Sequence, residues 1–351
     1  MSDSTEILFE RRGAAGIVTL NRPQALNALS LAMVLALREQ LKQWAADAAV
    51  ARVVIQAAGG RAFCAGGDIR ALYDLHQAGR TEEAVDFWRK EYPLNSAIKH
   101  YPKPYIALVD GLVMGGGVGV SMHGSIRVAG DRFSFAMPEV GIGFFPDVGA
   151  TFLMPRLPGK SGTYLALTGN RIGPADAVAL GIATHRVASA RFPELLDALC
   201  KDDDVAKTLG AFAADPGSAA LAPRRALIDR AFLGTNVEAI LAALDREGAG
   251  TSEDAVFARE QAALIRTKCS LSLKIALEQM RRGPSLDFKE AMRTEFRIVS
   301  RVAHGTNFYE GIRAAVLDKD NAPRWNPPSL AEVSEAAVAA HFAPLAEELP
   351  L

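Results

Sequence analysis

No stretch of this sequence approaches the roughly 20 consecutive apolar residues that a membrane-crossing helix requires, so a membrane span is not expected. Neither sign of charge dominates. Lys and Arg number 39 against 40 Asp and Glu, which leaves no global field to draw in nucleic acid. Any phosphate on a ligand must be met by local groups. Cysteine is scarce: Cys64, Cys200 and Cys269 lie far apart and form no metal-type or redox-type pair, which argues against a disulfide scaffold and suits a reducing compartment. His123 and His185 have no second metal-type ligand at useful spacing, so packing or hydrogen bonding is the expected role and no metal is implied. The opening MSDSTEILFERRG places acidic residues before any basic one and carries no apolar run. It reads as neither a secretory signal nor a transit peptide, and a cytoplasmic protein is expected. There is no low-complexity segment and no internal repeat of fixed period.

What is present is ordinary enzyme composition, 49% hydrophobic and 23% charged over 351 residues, enough for a substantial core plus an appendage. Ile17–Leu20, Val53–Ala57, Tyr105–Asp110, Ile126–Ala129 and Phe133–Met137 read as short strands. Between the first two, Ser30 is placed to cap a helix in which Val34, Leu37, Leu41 and Trp44 fall on one face. Lys160–Thr168 and Pro174–Leu180 read as short helices ended by Gly169 and Gly181. Alternating strands and helices predict an α/β fold. From about residue 195 the composition shifts to Ala, Leu, Glu and Arg, so residues 1–195 are read as an α/β core and 196–351 as a mainly helical region.

Two glycine-rich stretches follow predicted strands: Phe63-Cys64-Ala65-Gly66-Gly67-Asp68-Ile69 and Gly111-Leu112-Val113-Met114-Gly115-Gly116-Gly117-Val118-Gly119. Glycine lets backbone approach a ligand and lets peptide N–H groups point outward at a helix start. Two such groups converging on one oxygen make an oxyanion hole; tight turns and close helix packing use the same residues. A third segment, Met137-Pro138-Glu139 to Phe145-Pro146-Asp147-Val148-Gly149, sets two carboxylates eight residues apart among apolar residues, Gly and Pro. Apolar surroundings raise a carboxylate's pKa, and a second carboxylate pushes the two values apart, which outlines an acid/base pair. Helix capping or turn formation is the alternative use of Glu139 and Asp147.

Other motifs fall short. Gly159-Lys160-Ser161 resembles the end of a P-loop, but Met154 stands where that loop needs glycine. Gly119-Val120-Ser121-Met122-His123 misses a serine-hydrolase elbow at its last position. Gly117-Val118-Gly119 lacks the third glycine of a dinucleotide fingerprint, position 122 being Met. Cys64 reads as a small buried residue rather than a nucleophile.

In order and spacing, Asn21-Arg22-Pro23 with Leu26-Asn27-Ala28, then Phe63–Ile69, then Gly115–Gly117, then Met137-Pro138-Glu139 resemble the crotonase (enoyl-CoA hydratase/isomerase) superfamily. Lys90-Glu91-Tyr92-Pro93-Leu94-Asn95, Pro102–Leu108, Phe144–Gly149, Gly181–His185, Ser272–Ile275, Glu310–Ala314, Asp318–Asp320 and Pro323–Trp325 resemble its 3-hydroxyisobutyryl-CoA hydrolase branch. The resemblance implies a crotonase-like spiral of repeated ββα units with a C-terminal helical region. It implies that the N–H groups of Gly67 and Gly116 form the oxyanion hole, that Glu139 and Asp147 flank the reacting carbon, and that Glu91 helps form the acyl pocket. Ala65, Asp68 and Ile69 lie where members hold the adenine of coenzyme A. The implied reaction is hydrolysis of a short 3-hydroxyacyl-CoA thioester, with coenzyme A entering as part of the substrate and no separate cofactor.

The alternative within the same fold is an enoyl-CoA hydratase or isomerase; a third is a non-catalytic acyl-CoA-binding module. Hydratases of the superfamily use two glutamates, one of them two residues past the glycine run, and this chain has Gly119 there. That departure favours hydrolysis. Members often form trimers or larger assemblies, while a long helical tail offers a cover for the surface used, so the sequence leaves a homo-oligomer open.

Overall fold

The computed structural model describes residues 5–201 and 204–351; residues 1–4 of the opening segment, and so part of the reading made of it, lie outside the described residues. Ser30 accepts a hydrogen bond from Met33 N–H at 3.3 Å and starts α1 (Leu31–Ala46), which buries Met33, Val34, Leu37, Leu41 and Trp44. This is the face that the spacing predicts. Among the described residues no helix is long and apolar enough to cross a membrane.

The strands are β1 (Ile7–Arg12), β2 (Ala15–Leu20), β3 (Arg52–Ala57), β4 (Ala62–Cys64), β5 (Tyr105–Val109), β6 (Leu112–Met114), β7 (Ile126–Ala129), β8 (Ser134–Ala136) and β9 (His185–Arg186). They form a six-stranded sheet ordered β1-β2-β3-β5-β7-β9 and a three-stranded sheet ordered β4-β6-β8. Among the described residues only β1 and β2 pair as antiparallel strands; every other ladder is parallel. The strands therefore come in consecutive pairs, β3 with β4, β5 with β6 and β7 with β8, the first member joining the large sheet and the second the small one. Helices α2 (Ile69–Gln77) and α3 (Thr81–Lys99) follow the first pair, α4 (Gly116–Ser121) the second, and the 3-10 turn Glu139–Ile142 the third. This is the ββα repeat that the resemblance implies.

Parallel strands covered on both faces read as continuous apolar runs, and Val53-Val54-Ile55 and Tyr105–Val109 are buried throughout. One face of the large sheet, with Ala15, Ile17, Val54, Ile106, Leu108 and Val128, packs on Leu195, Leu196 and Leu199 of the helix Phe192–Lys201. Truncating one of these, such as Leu108→Ala, costs about 2–5 kcal/mol. From Phe192 to Phe342 every regular element among the described residues is helical.

Contacts divide the chain into two compact units. The first comprises Met1–Asp68, Lys90–Ala136 and Arg171–Ala220 and contains both sheets; the second comprises Ile69–Arg89, Met137–Asn170 and Leu221–Leu351. The second unit has its own aromatic core. Phe144 stacks on Trp88 and Phe145 with ring centroids 5.5 and 4.6 Å apart and meets Phe308 at 4.7 Å. Those contacts anchor the segment that joins Glu139 to Asp147.

Candidate active site

In the first unit the candidate residues Gly67 and Gly116 lie just past the small-sheet strands. Leu29 bridges alongside Gly67: its N–H donates to Gly66 C=O at 2.8 Å and its C=O accepts from Asp68 N–H at 3.0 Å. Successive peptide groups along an extended strand point to opposite sides, so the Gly67 N–H points away from Leu29. Gly116 opens α4, where the first N–H groups of a helix have no intrahelical acceptor. A Cβ on Gly116 would lie 3.3 Å from Gly67 N, 3.1 Å from Leu29 Cδ1 and 2.7 Å from Glu91 Oε1. A side chain at 116 would crowd those three groups, and glycine leaves them room. The fold thus brings together Gly67, Gly116 and Glu91, three of the residues singled out from sequence. Glu91, on α3, is only 1% exposed, so it faces inward rather than lying on a solvated face.

The remaining first-unit candidates, Ala65 and Asp68, are half-buried. Ala65 N–H is tied to Leu26 C=O at 3.0 Å, and Asp68 forms an ion pair with Arg22 at 2.8 Å. Ile69 is the first residue of α2 and belongs to the second unit.

In the second unit Glu139 begins the 3-10 turn after Pro138, and Asp147 lies in the loop before the helix Ala150–Leu153. Both are buried. Burial, and next the charge of Asp147, push the Glu139 carboxyl well above its ordinary range. One of its oxygens, Oε2, is buried with no hydrogen-bond partner among the described residues. A desolvated carboxyl of this kind is a stronger base once ionised.

A third carboxylate, unforeseen from sequence, stands beside them. Glu295, fully buried on the helix Phe288–Val302, accepts the N–H groups of Gly149 and Thr151 at 2.8 Å each. Burial and then Asp147 raise it to about 8, against the pull of those two backbone donors. Gln279 adds a second brace, its Nε2 donating to Pro146 C=O at 2.8 Å and to Thr151 Oγ1 at 2.7 Å. The braced turn is strained: Val148, β-branched, has φ of 50° and Gly149 has φ of 93°. A β-branched residue there costs on the order of 1–3 kcal/mol and persists only when its surroundings over-determine it. Glu295 and Gln279 tie down the backbone on either side of Asp147. The sequence signal for Glu295 is faint, a single acid on the apolar face of an amphipathic helix.

The decoys are resolved by their partners. Lys160 N–H is satisfied by Asp229 Oδ1 at 2.7 Å, and Ser121 Oγ donates to Gly117 C=O at 2.6 Å. Burial pushes the Cys64 thiol up to about 12, so it stays protonated. His185 Nδ1 pairs with Thr184 Oγ1 at 2.8 Å.

Against known proteins, a family model described as enoyl-CoA hydratase/isomerase matches residues 15–342. The mitochondrial 3-hydroxyisobutyryl-CoA hydrolase of Xenopus tropicalis is 43% identical over 350 residues, covering 97% of this chain and 89% of that protein. Among solved structures, one described as a carnitinyl-CoA dehydratase from Mycobacterium thermoresistibile superposes with a TM-score of 0.93 at 42% identity, covering 99% of both chains. Another, described as an enoyl-CoA hydratase from Rhodobacter sphaeroides 2.4.1, superposes with a TM-score of 0.88 at 40% identity, covering 99% of this chain and 100% of that one.

Proposed function

The chain belongs to the enoyl-CoA hydratase/isomerase family, and from that premise we propose that it hydrolyses a short 3-hydroxyacyl-CoA thioester, 3-hydroxyisobutyryl-CoA first, to the free acid and coenzyme A. The observation that carries this reading is the buried Glu139, raised well above its ordinary range beside Asp147, in a chain whose position 119 is glycine. Hydration of an enoyl thioester by this family's two-glutamate scheme needs a side chain that can exchange a proton at that position. Thioester cleavage does not. The name of the Xenopus relative supports the same reaction and substrate.

In the proposed chemistry the Gly67 and Gly116 N–H groups hold the thioester carbonyl oxygen and stabilise the negative charge that develops on it. Glu139 then acts in one of two ways. It attacks the carbonyl carbon, expelling the CoA thiolate and leaving an acyl–glutamyl anhydride that water opens, or it takes a proton from a water molecule that makes the attack. Asp147 orients the acyl hydroxyl or manages the water proton. Ala65, Asp68 and Ile69 are proposed to flank the adenine, largely through main-chain atoms. The cytoplasmic setting remains part of the proposal, since "mitochondrial" describes the Xenopus relative; cell fractionation tests it.

The discriminating experiment incubates the protein with 3-hydroxyisobutyryl-CoA and crotonyl-CoA and follows free thiol and enoyl absorbance together. Thiol release from the first with little hydration of the second supports hydrolysis. Robust hydration of crotonyl-CoA without thiol release overturns it in favour of a hydratase.

A further inference from the structure

We propose that Asn95 is a specificity-determining residue that, with Glu91, hydrogen-bonds the hydroxyl group of the acyl chain; this rests on the acyl-CoA reading above. Asn95 is 0% exposed, and both polar atoms of its amide, Nδ2 and Oδ1, are buried with no hydrogen-bond partner among the described residues. Leaving such a group unpaired is costly, and buried side-chain amides in folded proteins are ordinarily satisfied by protein or by a bound molecule. An amide orphaned at both ends marks a place where a group with a donor and an acceptor belongs.

The position of that place follows from α3. Asn95 lies four residues after Glu91 on the same helix, so the two side chains share one helix face, a single turn of about 5.4 Å apart. Glu91 Oε1 lies 2.7 Å from where a Gly116 Cβ would be, and Gly67 N is 3.3 Å from the same point. A thioester oxygen held by the Gly67 and Gly116 N–H groups therefore has Glu91 beside it and Asn95 one turn further on. Atoms two carbons beyond the carbonyl lie within that span, whereas the CoA sulfur leaves the carbonyl carbon in another direction. A hydroxyl at the third carbon donates to the Glu91 carboxylate and accepts from Asn95 Nδ2, or donates to Oδ1. A plain acyl chain leaves the amide unpaired. The class selected is a short, 3-hydroxylated acyl thioester.

The test compares wild type, Asn95→Leu and Asn95→Ala on 3-hydroxyisobutyryl-CoA and isobutyryl-CoA, with Kd measured by calorimetry on non-cleavable thioether analogues of both. Wild type is expected to favour the hydroxylated ligand. Asn95→Leu should lower the hydroxylated-to-plain ratio of kcat/KM, and of affinity, at least about tenfold, in keeping with loss of a buried polar contact. Asn95→Ala, which likewise removes both polar atoms, supplies the same comparison if the leucine variant does not fold. Equal losses on both ligands, an unchanged ratio, or a wild type indifferent to the hydroxyl overturns the assignment. If wild type binds with a hydroxyl preference that Asn95→Leu removes, yet cleaves neither thioester, the hydrolase reading fails and the Asn95 assignment stands.

Discussion

In the first unit the groups fit to hold a thioester oxygen are peptide N–H donors at Gly67 and Gly116, whereas in the second unit the groups fit to move a proton are the buried carboxyls of Glu139, Asp147 and Glu295. The two kinds of group are secured differently. A backbone donor has no pKa near neutrality; its aim is fixed once Leu29 bridges past Gly67 and α4 starts at Gly116. A buried carboxyl has an acidity set by desolvation and by its neighbours, and must be braced from outside its own loop. On the proposed reading, glycine serves where the sheet dictates position, and acids serve where helices supply enclosure.

The largest effect expected from breaking this contrast comes from Glu139→Gln. It removes the base or nucleophile and should cut thiol release by about a thousandfold or more, while the affinity for a non-cleavable acyl-CoA analogue stays within a few-fold. Full turnover in this variant would remove Glu139 from the mechanism. In wild type the free-enzyme rate, kcat/KM, should fall on acidification at a pH above the usual glutamate value of about 4.3, because burial and Asp147 favour the protonated, inactive form of Glu139.

Next in size is Gly67→Pro, which deletes one backbone donor. It should lower kcat at least about a hundredfold, in line with the roughly 2.7–4 kcal/mol such a donor contributes. Gly67→Ala keeps the N–H and should do less. A folded proline variant with normal turnover contradicts the oxyanion assignment.

Glu295→Gln sharpens the comparison from the carboxylate side. The amide retains one acceptor oxygen for the two N–H groups of the Asp147 turn, so kcat should drop about tenfold with KM nearly unchanged. Stability should also shift with pH. Glu295 has a folded value of about 8, above its unfolded one, so its contribution is complete at low pH and is lost as pH rises through about 8. Thermal melts across about pH 5 to about pH 9 should therefore favour the variant increasingly toward the alkaline end. A pH-independent difference would place Glu295 outside the titrating cluster. Smallest of all is Lys160→Ala: its N–H already serves Asp229, and CoA affinity should change less than about twofold, within the ±0.5 kcal/mol usual for surface changes.

Much of this was legible in the sequence, and for unequal reasons. Of the large-sheet strands, β2, β3, β5 and β7 announce themselves through apolar runs, as α1 does through spacing, whereas the polar-rich β1 and the two-residue β9 do not; Gly67, Gly116, Glu139 and Asp147 are singled out through motif order. The ββα repeat comes from the resemblance and not from periodicity, because its turns differ in length: α2 and α3 intervene after the first strand pair, and only the six-residue α4 after the second. Its small-sheet strands span three residues each, too few for periodicity to register β4 and β6, whereas β8 falls inside the apolar run Phe133–Met137. Glu295 stayed hidden because its contact with the Asp147 turn reaches across 146 residues of sequence. Long-range pairing of this sort leaves no local pattern.

The pairing of strands described for the fold has a consequence for ancestry. Gly67 follows β4 by three residues, Gly116 follows β6 by two, and Glu139 follows β8 by three. One address, the exit of the second strand in each pair, has been filled three times, twice by a peptide donor and once by an acid. A chain grown by duplicating one such module would begin with the same loop at every exit. Divergence confined to those exits would then change the reaction without redrawing the sheets, and swapping exit loops among members of the family would test whether they can be exchanged.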